Sequence, residues 1–365
     1  VWGIPLRLHS SWFMIFFLIT WTLATGYFPV EYPALGGAVY WILGAVTSLL
    51  FAASVLLHEL GHSWVALREG VPVRGVTLFL FGGVAQIDKE PSTAGGEFRI
   101  AIMGPVVSFA LALLFSLLWA LDQSVPFLAA PSAYLARINF SLALFNLIPG
   151  FPLDGGRVLR SIVWKLTGSL PKATHFATGA GQLVAFGFIA FGIYNVLQGG
   201  LFNGLWLIFI GWFLQNAAAA TAFQSSMQQS LRGVRVEQVM SREFTFLPIN
   251  WSLQMVVDRR VLNGGERTFL VTDAFGGKLE GMLTLREISA VPQERWPLTV
   301  VRDVMVPCER LIVARPQADL LAALQRMDEA NVAQVPVLDD LGVAQGVLSR
   351  EQVLRYVRLR SEIGM

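Results

Sequence analysis

The chain has a single cysteine, Cys308, and four histidines, His9, His58, His62 and His175, in 365 residues. One thiol excludes an internal disulfide and any cysteine-rich zinc module. Four imidazoles leave a short list of nitrogen ligands for a metal. Charge is scarce as well. Asp, Glu, Lys and Arg make up 14% of the residues, against about 25% in soluble globular proteins. The formal net charge of +2 is too small to point to nucleic acid, and no nucleic-acid partner is expected. What fills the chain is apolar: 54% of residues are hydrophobic, more than one soluble core could bury, so an ordinary cytosolic protein is excluded.

The scarcity of charge is uneven. Residues 1–222 hold ten Lys/Arg and eight Asp/Glu, whereas residues 223–365 hold seventeen of each. This divides the chain into an apolar domain over 1–222, a polar linker over 223–232 and a domain of ordinary soluble composition over 233–365. Crossing the hydrocarbon core takes about 20 apolar residues. Six stretches qualify: 10–28, 38–67, 99–121, 133–150, 176–198 and 201–222. No small-residue cleavage site follows the first, so it reads as a span and not as a signal peptide. Loops 29–37, 122–132 and 199–200 contain no Lys or Arg. The opposite side carries Arg7, Arg68, Arg74, Lys89, Arg99, Arg157, Arg160, Lys165 and Lys172. By the positive-inside rule, both termini, the 68–98 loop and the soluble domain face the cytoplasm. The expected fold is a polytopic α-helical membrane protein of about six transmembrane helices, followed by a cytoplasmic α/β domain.

The second stretch ends in Leu57-His58-Glu59-Leu60-Gly61-His62. In a helix, positions i and i+4 lie one turn apart on one face. Two imidazoles there, with a carboxylate between them, suit zinc with a base beside its water. The bland alternative is two core histidines and a chance Glu. Membrane context weighs against that, because an acid at mid-bilayer costs at least about 2.5–3.5 kcal/mol. If the span ends near Leu67, His58 lies about 13 Å deep at 1.5 Å per residue.

A tetrahedral catalytic zinc takes three protein ligands and an open position. His9 sits at the mouth of the first span and His175 in a loop, so both read as interfacial. A better candidate follows the fourth span, in Asn146-Leu147-Ile148-Pro149-Gly150-Phe151-Pro152-Leu153-Asp154-Gly155-Gly156-Arg157. Two prolines and three glycines unwind a helix, and unwound backbone is tolerated in a membrane only where it lines a cavity. Asp154 emerges from that break on the same side as the imidazoles and is the candidate third ligand. The alternative is an acid capping a helix end. Asn146 can hydrogen-bond a substrate backbone or a developing oxyanion, or it can bridge helices. Residues 75–87 are β-branched and aromatic around Gly82-Gly83 and predict a hairpin at the membrane surface. Its edge can capture an extended peptide, or the hairpin can be purely structural. Met103-Gly104-Pro105-Val106-Val107-Ser108 opens the third span with small residues that fit close helix packing.

The soluble domain repeats itself at a period of 65 residues, in copies at about 233–292 and 298–361. Val239-Met240 recurs as Val304-Met305, and Gly281-Met282-Leu283-Thr284 recurs as Gly346-Val347-Leu348-Ser349. Each copy predicts strand, helix, strand, strand, helix. Leu320, Leu321, Leu324 and Met327 mark the apolar face of one such helix.

The paired motifs, His58 through His62 in one span and Asn146 through Arg157 in a later one, resemble the site-2 protease family of intramembrane zinc metalloproteases. The Gly3–His9 opening and the Gly-Pro start of the third span are similar to that family too. The resemblance implies one Zn2+ per chain on His58, His62 and Asp154, Glu59 as catalytic base, and Asn146 in contact with substrate. It implies hydrolysis of a peptide bond in or near the transmembrane segment of membrane-tethered regulators, of the anti-sigma or pro-transcription-factor type, in a bacterial cell membrane. The soluble half resembles a tandem CBS pair, as in the subgroup containing the sporulation pro-sigma-factor protease. Such pairs often bind adenine nucleotides, which would make Thr284, Glu287 and Ser349 candidate contacts. Members usually carry Asp where Glu287 and Gln352 stand here. Homodimerisation through the pair fits the module equally well. Two rival readings use the same residues. A CBS-regulated channel or transporter predicts ionisable groups spread along a pathway, whereas here they gather at one depth. A catalytically inactive zinc-binding scaffold for membrane regulators has every group in place and differs only in an assay.

Overall fold

The computed structural model describes residues 3–79, 82–87, 91–121, 124–231, 233–273 and 279–362. It divides into two compact units, 1–225 and 226–365. Lys89 and the tip of the predicted hairpin, residues 80–81, lie outside the described residues.

In the first unit, six helices are long and apolar enough to cross a membrane: Ser11–Glu31, Gly37–Arg68, Ala94–Leu121, Pro126–Asn146, Leu170–Leu197 and Leu201–Phe223. They are named α1 (Ser11–Glu31), α2 (Gly37–Arg68), α3 (Ala94–Leu121), α4 (Pro126–Asn146), α6 (Leu170–Leu197) and α7, which runs on to Leu231. A shorter helix, α5 (Asp154–Thr167), stands between α4 and α6. Besides the earlier starts of α3, at Ala94 and not 99, and of α4, at Pro126 and not 133, three ends differ from expectation for a local reason. First, α4 stops at Asn146 and not near 150, because Pro149 and Pro152 remove amide donors and disfavour helix in the residues before them. Second, α6 starts at Leu170 and not at 176; Pro171 suits a first helical turn, and a search for apolar residues alone passes over Lys172 and His175. Third, α7 continues through 223–231, expected as a linker, since Phe223 to Leu231 contains neither Gly nor Pro to stop it.

The predicted hairpin is present and has a third member. Strand β1 (Leu6–Leu8) pairs in parallel with β2 (Val73–Phe79), and β2 pairs antiparallel with β3 (Gly82–Ile87), in the order β1-β2-β3. The helices invert the soluble pattern. On α2 the buried residues include Thr47, Ser48, Ser54, His58, His62 and Ser63, while Ile42, Leu49 and Leu50 face outward. Small and polar residues let membrane helices approach closely where lipid already solvates the large apolar ones.

The second unit buries its apolar residues in the ordinary way. Its first copy holds β4 (Thr245–Pro248), α8 (Leu253–Val256), β5 (Thr268–Thr272), β6 (Leu279–Thr284) and α9 (Leu285–Ser289). Its second holds α10 (Leu320–Glu329), β8 (Gln334–Leu338), β9 (Ala344–Ser349) and α11 (Arg350–Glu362), preceded by the two-residue β7 (Val306–Pro307). The expected first strand of the second copy is reduced to a single bridge, Ala314 to Val337. Leu247, Phe269 and Leu283 centre one core, and Leu320, Met327 and Val337 another. The repeated Val-Met and Gly motifs meet crosswise. A Cβ on Gly281 would lie 2.9 Å from the Met305 sulfur, and one on Gly346 would lie 2.9 Å from the Met240 sulfur. Each copy thus lends a methionine to a glycine of the other.

Candidate metal centre

Within α2, His58 and His62 project from one face and are each only 4% exposed. Their Nε2 atoms lie 3.3 Å apart. The Asp154 Oδ2 atom is 3.1 Å from each of them. The three donor atoms therefore converge on one point, all within 4.8 Å of one another. Each ring is held from behind by α3. His62 Nδ1 lies 2.7 Å from the Ile100 carbonyl. A carbonyl can only accept, so this nitrogen carries a proton and Nε2 is the ring nitrogen that faces inward. His58 Nδ1 lies 2.8 Å from the Ser108 hydroxyl.

Space at that point is kept by Gly104 of α3. A Cβ there would lie 2.5 Å from His58 Nε2 and 2.6 Å from His62 Cε1, and closer still to His62 Nε2. A side chain at 104 would fill the place where an ion fits. Two imidazoles, one carboxylate and a cradle left open by a glycine match the donor set of a catalytic zinc. Gly61 serves the same approach of helices, since its Cβ would lie 2.8 Å from Val107 Cγ2.

Asp154 is delivered by the break after α4. Residues 147–156 fold tightly around their glycines: a Cβ on Gly156 would lie 2.6 Å from the Gly150 carbonyl oxygen, and one on Gly150 would lie 2.6 Å from the Gly181 amide of α6. The Phe151 amide donates to the Ala177 carbonyl at 3.2 Å, which ties the loop to α6. The Phe151-Pro152 bond is cis. Leu153 is the extended N-cap of α5 and Asp154 its first residue, without a side-chain capping bond. Burial raises the cost of charge on Asp154, but His62 and His58 outweigh it and hold the carboxyl below the usual carboxylate range. Behind it, Arg160 of α5 forms a buried ion pair with Glu97 of α3, with its Nε donating to Glu97 Oε1 at 2.6 Å. Arg160 also lies over the Phe151 ring, 5.3 Å from its centroid. This pair pins α5 and the loop to the helix that backs both imidazoles.

Glu59 faces the sheet. A Cβ on Gly83 of β3 would lie 3.1 Å from Glu59 Cδ and 3.2 Å from its Oε1, so only glycine lets β3 pass over this carboxylate. Asn146 ends α4 half-buried and makes no hydrogen bond to His58, His62 or Asp154. A second asparagine, Asn139, is fully buried two turns earlier and donates to the Ser54 hydroxyl at 3.3 Å and to the Leu135 carbonyl at 2.9 Å. The residues that sequence reasoning missed are these supports: Ile100, Ser108, Gly104, Gly83, Asn139 and the Glu97–Arg160 pair. Their one visible signal was the small-residue run at 103–108, read there only as packing.

In the second unit, the Thr284 amide donates to Glu287 Oε2 at 3.0 Å, and the Thr284 hydroxyl contacts the same oxygen. The Ser349 amide donates to Gln352 Oε1 at 2.9 Å, and the Gln352 amide returns to the Ser349 hydroxyl at 3.2 Å. Thr284, Glu287 and Ser349 therefore all cap helices, α9 in the first copy and α11 in the second.

Residues 46–133 and 122–190 match peptidase family M50, and 236–294 and 301–359 match the CBS domain. The Synechocystis protein sll0528 is 36% identical over 98% of this chain and 93% of its own length. Rip3 of Mycobacterium tuberculosis is 36% identical over 97% of this chain and 91% of its own. Both relatives are provisionally named zinc metalloproteases. This chain belongs to peptidase family M50, the site-2 proteases. A solved structure of that kind, the site-2 protease from Methanocaldococcus jannaschii, is 33% identical. It covers 61% of this chain and 92% of its own, with a TM-score of 0.42. The M50 protease described here is accordingly a multi-pass membrane zinc metalloprotease carrying a tandem CBS pair. Its family acts on membrane-tethered substrates.

Proposed function

We propose that His58, His62 and Asp154 hold one zinc ion, that Glu59 is the catalytic base, and that the reaction is hydrolysis of a peptide bond in or near the transmembrane segment of a membrane-tethered regulator. The observation that carries this reading is the convergence of two imidazoles and one carboxylate over the gap left by Gly104, with Glu59 adjoining on the same helix. Zinc so placed supplies Lewis acidity that polarises a carbonyl and acidifies water. Ile100 and Ser108 keep both imidazoles turned inward. Glu59 takes the proton of the attacking water and later gives it to the leaving amine, one group serving as base and then as acid.

A helical substrate hides its carbonyls in i→i−4 bonds and must be extended before attack. Strand β3 offers the means. Its one partner among the described residues is β2, so its far edge has backbone groups free to pair with a substrate strand. Gly83 brings that strand against Glu59. Asn146, at the end of α4, is the proposed contact with substrate backbone. The charge asymmetry of the loops sets the metal-bearing end, both termini and the CBS pair on the cytoplasmic side, in a bacterial cell membrane. Substrates of the anti-sigma or pro-transcription-factor type suit a protease that releases products to that side.

Adenine nucleotide at the CBS pair is the finer regulation that the module suggests. The residues do not fit a ribose-binding acid, because Glu287 is tied to Thr284 and Gln352 is uncharged. A homodimer through the pair is the regulatory role proposed instead, and light scattering of the full chain with and without residues 233–365 checks it.

The decisive experiment reconstitutes the full chain in liposomes with single-span substrates. Glu59→Gln is expected to lower cleavage by about 10²–10⁴-fold while metal analysis still finds zinc. Cleavage by that variant at the wild-type rate would overturn the mechanism.

A further inference from the structure

Between α3 and α4 lies a groove of about 560 Å³, on the side away from the metal centre. Its walls are apolar, with Phe109, Leu113, Trp119 and Phe140, and its polar members are Ser116 and Arg137. Phe109 and Phe140 meet edge to face, ring centroids 5.7 Å apart. They follow directly on Ser108 and Asn139, whose side chains reach the other way, to His58 and to Ser54. The groove is therefore the outer face of two helices whose inner face supports the site.

Ser116 asks for no ligand, since its hydroxyl donates to the Ala112 carbonyl of its own helix at 2.8 Å. Arg137 is different. It stands inside the span Pro126–Asn146, eleven residues from one end and nine from the other. A guanidinium offers five donors. One is used here, to the Tyr27 hydroxyl at 3.2 Å, with the cation 5.5 Å from the centre of that ring. Among the described residues no carboxylate pairs with it. A cation within a span is expensive and calls for an anion.

Shape narrows what that anion belongs to. The groove runs along α3 from Phe109 to Trp119, about 15 Å at helical rise. The groove is open on the outer face of two spans, where the surrounding molecules are lipids. A slender apolar chain ending in an anion fits. We propose that the groove binds one membrane phospholipid, with its phosphate on Arg137 and an acyl chain lying along Leu113 toward Phe109 and Phe140.

The test uses the full chain purified in a mild detergent and native mass spectrometry to count retained lipid. Wild type is expected to retain one phosphatidylglycerol, and to retain diacylglycerol of the same acyl chains at least five-fold less. Millimolar inorganic phosphate is expected not to displace the lipid, because the acyl chain contributes to binding. Arg137→Gln is expected to lower retention at least five-fold with zinc content unchanged. Ser116→Trp, which fills the groove from an exposed position and leaves Arg137 in place, is expected to do the same, so the proposal does not hang on one variant. Equal retention by both variants, equal retention of diacylglycerol, or displacement of the lipid by a single-span peptide carrying an acid would overturn it, the last by assigning the groove to a substrate helix.

Discussion

Asp154 in the membrane unit and Glu287 in the CBS unit occupy similar places in the sequence. Each is an acid in the first turn of a helix, within a few residues of a glycine or a hydroxyl. Their carboxylates go in opposite directions. Glu287 turns back to the Thr284 amide and closes its own capping box. Asp154 makes no capping bond, and its oxygen reaches two imidazoles on another helix. The difference is one of partners. Around Glu287 the nearest unsatisfied donors belong to its own helix terminus. Around Asp154 the tight turn at Gly155 and Gly156 brings the helix start against the loop, and His58 and His62 supply the stronger demand. A first-turn acid is thus a cap by default and turns away from its own helix only where tertiary packing presents something better.

The sharpest way to break this comparison is to remove each acid. Asp154→Ala is expected to reduce zinc affinity by more than about 100-fold, since even losing the hydrogen-bond partner of a ligand costs 10–100-fold, and to bring cleavage to background. Metal analysis after dialysis against a weak chelator reads the first effect. Zinc retained at the wild-type level would show that Asp154 is a cap after all. Gly104→Ala tests the same centre from the opposite side without touching a ligand. Its Cβ would stand 2.5 Å from His58 Nε2, so zinc is expected to be lost while the helices still form, which circular dichroism reports.

Legibility followed the kind of information each part needs. The candidate zinc pair was readable because i, i+4 spacing on a helix is a local fact, and the membrane spans because length and composition suffice. The break that carries Asp154 was readable from Pro149 and Pro152, which act on their own neighbours. What stayed hidden depends on contacts between distant segments. Nothing local marks Ile100 as the carbonyl behind His62, or Gly83 as the residue lying on Glu59, since both are set by how α3 and β3 pack on α2. The helical 223–231 segment escapes a sequence reading for another reason: its polarity predicts a linker, although no residue there stops a helix. In the CBS unit the repeat was plain, but the crosswise Met305–Gly281 and Met240–Gly346 contacts needed the two copies side by side.

A smaller effect separates holding a ligand from being one. Glu97 is fully buried against Arg160. Glu97→Gln is expected to cost about 3–5 kcal/mol, as breaking a buried pair does by stranding the other charge. Replacing Glu97 and Arg160 together by Gln and Met is expected to recover part of that, because the Arg160 charge goes with its partner while Arg157, whose charge also faces Glu97, stays. Thermal unfolding in detergent measures both. Zinc loss in the single variant, restored in the double, would place the pair's role in positioning α5; equal loss in both would place the chemistry of the charges themselves at the site.

The smallest expected effect completes the comparison. Glu287→Ala removes one half of a capping box, which is worth about 1 kcal/mol, and the loss falls on the CBS unit alone. The Thr284 amide can be reached by water when the carboxylate is gone, so the cost stays near the exposed-cap value and well below that of a buried pair. Zinc content and the unfolding of the membrane helices are expected not to change. Isothermal titration with ATP then asks whether the freed Thr284 hydroxyl matters. If Glu287 is only a cap, ATP affinity is the same in wild type and variant. A variant that loses measurable ATP binding would show Glu287 leaving Thr284 to meet a ribose, and the likeness between this acid and Asp154 would then be closer than their partners in this structure indicate.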